Sequence, residues 1–223
     1  MKHITLAISM LLFSLMPLNA LDLIDKDEKV FVQIGFDLEG AVSNSHLQML
    51  DTLGHPMSNP DRIQGTDQEQ AWEISIGLEE QVNQKEFGSR KILTYYDAGK
   101  ITRYDGTYTA YNKNTGIEAS YEIYYKWMTF FRPSIGAGVG INVLHHYDDG
   151  WREVKEFSPT VHVSAGVTGE IVDGLGYYVN YKHRFANNSI RTVPIYRGGL
   201  YLVRVDLDGA EGDKFLLGLT YKF

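Results

Sequence analysis

Residues 117–127 read IEASYEIYYKW. Ile117, Ala119, Tyr121, Ile123, Tyr125 and Trp127 alternate with Glu118, Ser120, Glu122, Tyr124 and Lys126. In an extended chain this puts every aliphatic residue on one face and every charge on the other, whereas a helix would scatter both sets. The same period of two returns along the chain. It runs through Val30–Leu38, Trp72–Leu78, Ile135–Val143, Val161–Val167, Leu175–Tyr181 and Phe215–Phe223, with a less regular run from Arg90 to Tyr104. No window competes as an amphipathic helix. The chain is all-β, and these runs predict eight strands.

An apolar face can point into a soluble core or out into lipid. Three features select lipid. The runs are long enough to cross a bilayer at a tilt, which takes about 9–11 residues. The polar face combines glycine with charges of both signs, Glu73, Glu79, Glu118 and Glu122 against Lys126, Lys182 and Arg184. Glycine weakens a solvent-facing strand, but inside a narrow barrel it makes room for long charged neighbours. The third feature is the alternation of long and short connections. Long loops are expected at about 43–68, 105–115, 146–155 and 187–212, separated by short turns. That rhythm belongs to an antiparallel up-and-down transmembrane β-barrel with both chain ends on the short-turn side. Gly199–Leu207 is itself strand-like, so it either extends a hairpin above the membrane or raises the count to ten.

Composition narrows the function. Among 223 residues there is no cysteine, which removes disulfide scaffolds, thiol nucleophiles and zinc–thiolate sites. A net charge of −7 argues against nucleic-acid binding. Fifteen tyrosines within a 13% aromatic content suit strands and membrane–water interfaces. Residues 1–20 read as a secretory signal peptide, with Lys2 before a mostly apolar stretch and Ala20 at the cleavage point. Residues 21–29 are then a short periplasmic segment and 30–223 the barrel.

With its strands in that order, the chain resembles the small eight-stranded outer-membrane barrels of Gram-negative bacteria, the OmpA-like and opacity-type family. The most specific piece is FLLGLTYKF, where Phe215, Leu217, Leu219, Tyr221 and Phe223 occupy alternate positions. It is similar to the C-terminal signal read by the barrel-assembly machinery. Tyr177–Asn187 likewise looks like a penultimate strand of such a barrel. The resemblance implies a place in the bacterial outer membrane, among its lipid and lipopolysaccharide, for a monomer.

Several clusters invite a chemical reading. His145-His146-Tyr147-Asp148-Asp149 gathers metal-ligand types, as do His46, Asp51 and His55, but both fall in predicted outer loops and read as solvated loop tips. Gly136-Ala137-Gly138-Val139-Gly140 lacks the spacing of a dinucleotide loop and continues as a strand. No metal or cofactor is expected. His183 shares the outward face with Tyr181 and Phe185, near the outer end of its strand. Outer-membrane lipid A deacylases resemble this chain in carrying a late histidine, with a serine two residues on and an acid beyond. Here position 185 is Phe, Ser189 lies in a loop, and Glu211 is a remote acid. An acyl transfer needs its nucleophile beside its base.

The expected function is therefore non-enzymatic, with outer loops serving envelope stability, adhesion or contact with a host or envelope partner. A small channel or hydrophobic-molecule transporter is the alternative, and a lipid A hydrolase using His183 the third.

Overall fold

The computed structural model describes residues 28–38, 46–57, 61–62, 67–80, 86–104, 109–148, 153–187, 189–196, 200–207 and 212–223. In chain order its strands are β1 (Glu28–Asp37), β2 (His46–Leu50), β3 (Asp61–Arg62), β4 (Asp67–Gln68), β5 (Trp72–Glu80), β6 (Phe87–Tyr104) and β7 (Thr109–Tyr125). These are followed by β8 (Arg132–Asp148), β9 (Val154–Val172), β10 (Leu175–Ala186), β11 (Ser189–Tyr196), β12 (Leu200–Leu207) and β13 (Gly212–Lys222). Eight of them close an antiparallel ring, β1-β5-β6-β7-β8-β9-β10-β13 and back to β1. Closure leaves no unpaired edge, which is what allows strands to stand in lipid.

Burial along the strands is inverted relative to a soluble fold. Ile117 is 55% exposed while its neighbour Glu118 is 0% exposed. Leu217 and Leu219 on β13 are exposed, with Leu216 and Thr220 buried on either side of them. An apolar exterior around a polar interior is stable only where the surrounding medium is itself apolar, so the ring is a membrane-spanning barrel. Aromatic pairs mark both rims. Phe87–Tyr125 and Tyr221–Phe223, with ring centroids 5.2 and 5.1 Å apart, lie at the turn end. Trp72–Tyr95 and Tyr181–Phe215, 5.6 and 5.1 Å apart, lie toward the loop end. Tyrosine and tryptophan settle at such levels because the ring is apolar and its tip is wet.

The wall is uneven in height. β6 to β9 run for 17–19 residues, well beyond the span a bilayer needs, whereas β1, β5, β10 and β13 have 9–12. The connections expected at 105–115 and 146–155 are correspondingly shorter, because ladder pairing continues from Lys100↔Lys113 to Tyr104↔Thr109 and from His145↔Lys155 to His146↔Val154. Above the lipid both faces of a strand become polar, so the period of two fades while pairing persists. One irregularity interrupts the tall wall. The register shifts between Asp97 and Lys100, where Gly99 takes a φ of +83° and donates its N–H to Asp97 Oδ1 at 3.0 Å. A left-handed φ favours glycine there.

The segment Gly199–Leu207 does not enter the ring. β12 pairs with β11 and β2, and β2 with β3, giving a second sheet of order β11-β12-β2-β3 built from the first and last long loops. β12 also touches β8 of the tall wall. Leu50 and Leu202 stand opposite each other on one face of this sheet, and Leu50 is buried.

Candidate functional site

Among the described residues the lumen holds two charge clusters and, toward the loop end, a separate Lys214–Asp37 pair at 2.9 Å. Toward the turn end, Glu79 accepts from Arg90 Nε at 2.8 Å, from Lys222 Nζ at 2.7 Å and from Arg132 at 3.4 Å, and Tyr124 donates its hydroxyl at 3.2 Å. The Arg90 guanidinium lies 5.4 Å from the centroid of Phe31 and 5.0 Å from that of Tyr124. At mid-height, Glu118 accepts from Arg184 Nε at 2.7 Å and from Lys182 at 3.3 Å, with His162 Nδ1 at 3.5 Å. Lys182 also donates to Glu73 at 3.0 Å, to which Tyr178 donates at 3.2 Å. Arg184 sits 3.9 Å over the ring of Tyr96, whose hydroxyl donates to Asn142.

Room for these side chains comes from a glycine stripe on β8. A Cβ at Gly136 would meet Glu122 Cγ at 2.7 Å, one at Gly138 would meet His162 Cε1 at 2.4 Å, and one at Gly140 would meet Glu118 Cγ at 2.7 Å. One cavity among the described residues, about 20 Å³, is lined by Gln33, Glu73, Glu122, His162, Asn180 and Lys182 among others. That is room for about one water.

Of the charges singled out from the sequence, Glu73, Glu79, Glu118, Glu122, Lys182 and Arg184 are buried in the lumen. Lys126 is not among them. β7 ends at Tyr125, and Lys126 stands half-exposed in the following turn, its N–H donating to the Glu86 carbonyl. Glu122 is buried, but among the described residues it forms no ion pair, since Lys182 and Arg184 are taken by Glu73 and Glu118. Arg90, Lys222, His162 and the tyrosines 96, 124 and 178 were missed as partners. Parity along their strands places Arg90, Lys222 and His162 inward, but which of them meet depends on inter-strand register.

The histidine clusters separate. His145 and His146 lie on β8 rather than in a loop, so they face opposite sides and cannot converge on one ion. His146 is fully buried with Nδ1 2.7 Å from Asn112 Oδ1. His145 and Lys155 both contact Glu153, the latter at 2.9 Å, and the Lys155 hydrogen bond holds the Glu153 carboxyl below its ordinary pKa. Asp148 ends β8, and Asp149 lies outside the described residues. Asp51 closes a turn by accepting from the N–H groups of Leu53 and His55, each at 2.8 Å, and the His55 N–H lowers its carboxyl pKa. His46 lies on β2.

His183 stands outside the barrel next to β13. Its Nδ1 is 2.7 Å from Asp213 Oδ1, which also accepts from the Tyr181 hydroxyl at 2.5 Å, and Phe185 packs edge-on against the imidazole. The acid beside this histidine is Asp213, its cross-strand partner, while Glu211 lies outside the described residues.

No protein-family model matches the chain, and a search of curated proteins found no match. Among solved structures it is similar to Ail, the attachment invasion locus protein of Yersinia pestis, in complex with the heparin analogue sucrose octasulfate. The identity is 10% over 88% of this chain and 99% of that one, with a TM-score of 0.47. It is also similar to neisserial surface protein A, at 15% identity over 87% and 97% with a TM-score of 0.45. Outer membrane protein H of Pseudomonas aeruginosa gives 20% identity over 88% and 99%, with a TM-score of 0.47. These are likenesses at low identity, and the reading of the barrel rests on its own register and burial.

Proposed function

We propose that the chain is a monomeric, non-enzymatic barrel of the bacterial outer membrane whose working surface is the sheet above its loop end. The carrying observation is that the first and last long loops condense into one four-stranded sheet, β11-β12-β2-β3, while paired charges fill the lumen below. A rigid scaffold carrying ordered connecting segments is where binding function concentrates. The loop end faces the cell exterior, and the sheet meets a host or envelope surface. Phe215, Leu217, Leu219, Tyr221 and Phe223 on the lipid face of the last strand act as the signal for the barrel-assembly machinery.

Replacing 189–207 by a short turn tests this. The barrel should still assemble and migrate as a heat-modifiable band, while attachment of expressing cells to host-cell or matrix surfaces is lost. Unchanged attachment would refute it. Planar-bilayer recordings should show no discrete conductance.

The contact between His183 and Asp213 favours one second reading, a lipid-facing hydrolase. It lacks a nucleophile at position 185, which is Phe. Lipid A mass spectra from cells carrying wild type, His183→Ala or no gene decide it. A mass change that depends on His183 would establish the enzyme.

A further inference from the structure

Only half of the ring continues to the top of the barrel. β10 leaves the ladder at Ala186, opposite Thr160 of β9, and the β1–β13 ladder ends at Asp37 and Leu216. β6 to β9 carry on, so among the described strands of the ring their upper part has no opposite wall. His146 belongs to this upper part. It lies past Thr160 in the ladder, opposite Val154, and past the outward apolar run Ile135–Val143, above the lipid. An inward side chain on an open wall should meet water. His146 and Leu144 are instead 0% exposed.

The second sheet is the element in place to cover them. Its strands come from the connections between β1 and β5 and between β10 and β13, yet β12 touches β8, which stands opposite β1 in the ring order. The sheet carries a buried residue of its own, Leu50, with Leu202 opposite.

His146 is held in one protonation state. Its Nδ1 donates to Asn112 Oδ1 at 2.7 Å, which leaves Nε2 as the bare nitrogen of a neutral ring. That Nε2 is buried and has no hydrogen-bond partner among the described residues. A proton added to it would put an unmatched N–H and a positive charge in a buried place, which is costly. Burial, and after it the charge of neighbouring His145, accordingly lower the imidazole from its ordinary 6.5 to about 4. On the adjoining strands the ionisable residues at inward register positions are Arg103, Asp148 and Glu156. On the second sheet His46, Arg62, Arg204 and Asp206 hold the positions that share a face with Leu50. Outward, Lys113 pairs with Asp97, and His145 and Lys155 with Glu153.

We propose that the sheet β11-β12-β2-β3 is an acid-released lid: it seats on the tall wall while His146 is neutral, and protonation of His146 at Nε2 drives it off. Release uncovers Leu144 and Leu50, apolar surface that neutral pH keeps hidden. Because the buried imidazole binds its proton less readily than a free one, closure is strongest above pH 6.5. It weakens as pH falls through that value and stops weakening below about 4. At pH 5 the closed-to-open ratio should be roughly thirtyfold lower than at neutral pH.

The lid is the same sheet that is proposed above as the working surface. Its seating is measured in detergent, where attachment to a surface plays no part, so the two readings fail separately. Hydrogen exchange of the folded barrel, read by mass spectrometry at pH 7.5 and 5, provides the test. A small sheet has no core of its own, so leaving the wall exposes its amides. Comparing wild type with His146→Phe at the same pH cancels the intrinsic pH dependence of exchange and the titration of the other ionisable groups. At pH 7.5 the two should protect 200–207 equally. At pH 5 wild type should exchange there roughly thirtyfold faster than the variant, with the ring segment 215–223 unchanged in both. Should Phe fail to seat the lid at pH 7.5, His146→Gln, uncharged and still able to donate to Asn112, replaces it. Equal exchange of wild type and the neutral variant at pH 5 would overturn the proposal, as would a loss of protection spread evenly over the ring.

Discussion

Arg184 donates from Nε to Glu118 at 2.7 Å, and the pair crosses the lumen with the two side chains 3% and 0% exposed. Lys182 holds the second Glu118 oxygen and reaches on to Glu73. The mid-barrel is thus braced by two cations from one strand gripping carboxylates from two others.

Breaking this brace leaves a buried charge without its partner, which costs about 3–5 kcal/mol. Glu118→Ala should lower the urea midpoint of the folded barrel by that order, read from the heat-modifiable band. The exchange Glu118→Arg with Arg184→Glu should recover part of the loss. Equal stability of Glu118→Ala and wild type would show that the network is not bracing the wall.

Glu122 provides the contrast. It is buried without a described ion-pair partner, so Glu122→Gln, which keeps shape and removes charge, should leave the midpoint unchanged or raise it. A loss as large as that of Glu118→Ala would place a cation on Glu122 after all.

The glycine stripe makes a packing prediction. A Cβ at Gly138 would come within 2.6 Å of the Ala119 carbonyl oxygen as well as His162, and backbone cannot yield as a flexible side chain can. Gly138→Ala should therefore destabilise by about 1–3 kcal/mol, as overpacking does. Wild-type stability in the same urea titration would show that β8 shifts freely.

Ile74 and Ile123 point away from the lumen, Ile123 being 44% exposed. Arginine at a midplane lipid position costs about 2–4 kcal/mol. Ile74→Arg and Ile123→Arg should each reduce insertion into vesicles, and normal insertion of both would mean that the apolar face does not meet lipid.

Replacing Tyr221 and Phe223 with Ser should impair assembly in cells while export proceeds. Both rings stand outward on the closing strand, beside β1. Undiminished folded barrel in the membrane would remove the last strand from the assembly signal.

Much of this protein follows from period two alone. A residue's parity along a strand dictates whether it faces lumen or lipid, which is why Glu73, Glu118, Glu122, Lys182 and Arg184 could be assigned inward from the sequence. Parity fails where a strand stops, as at Lys126, and where it leaves the lipid, as in the upper halves of β6 to β9, because the medium no longer distinguishes the faces. Tertiary structure decided the rest. Glu118 meets Arg184 across 66 positions of chain, and His146 meets Asn112 only through the register of β7 and β8. Register and shear set those meetings, and they arise from how the sheet closes on itself, a long-range condition that no local stretch of sequence encodes.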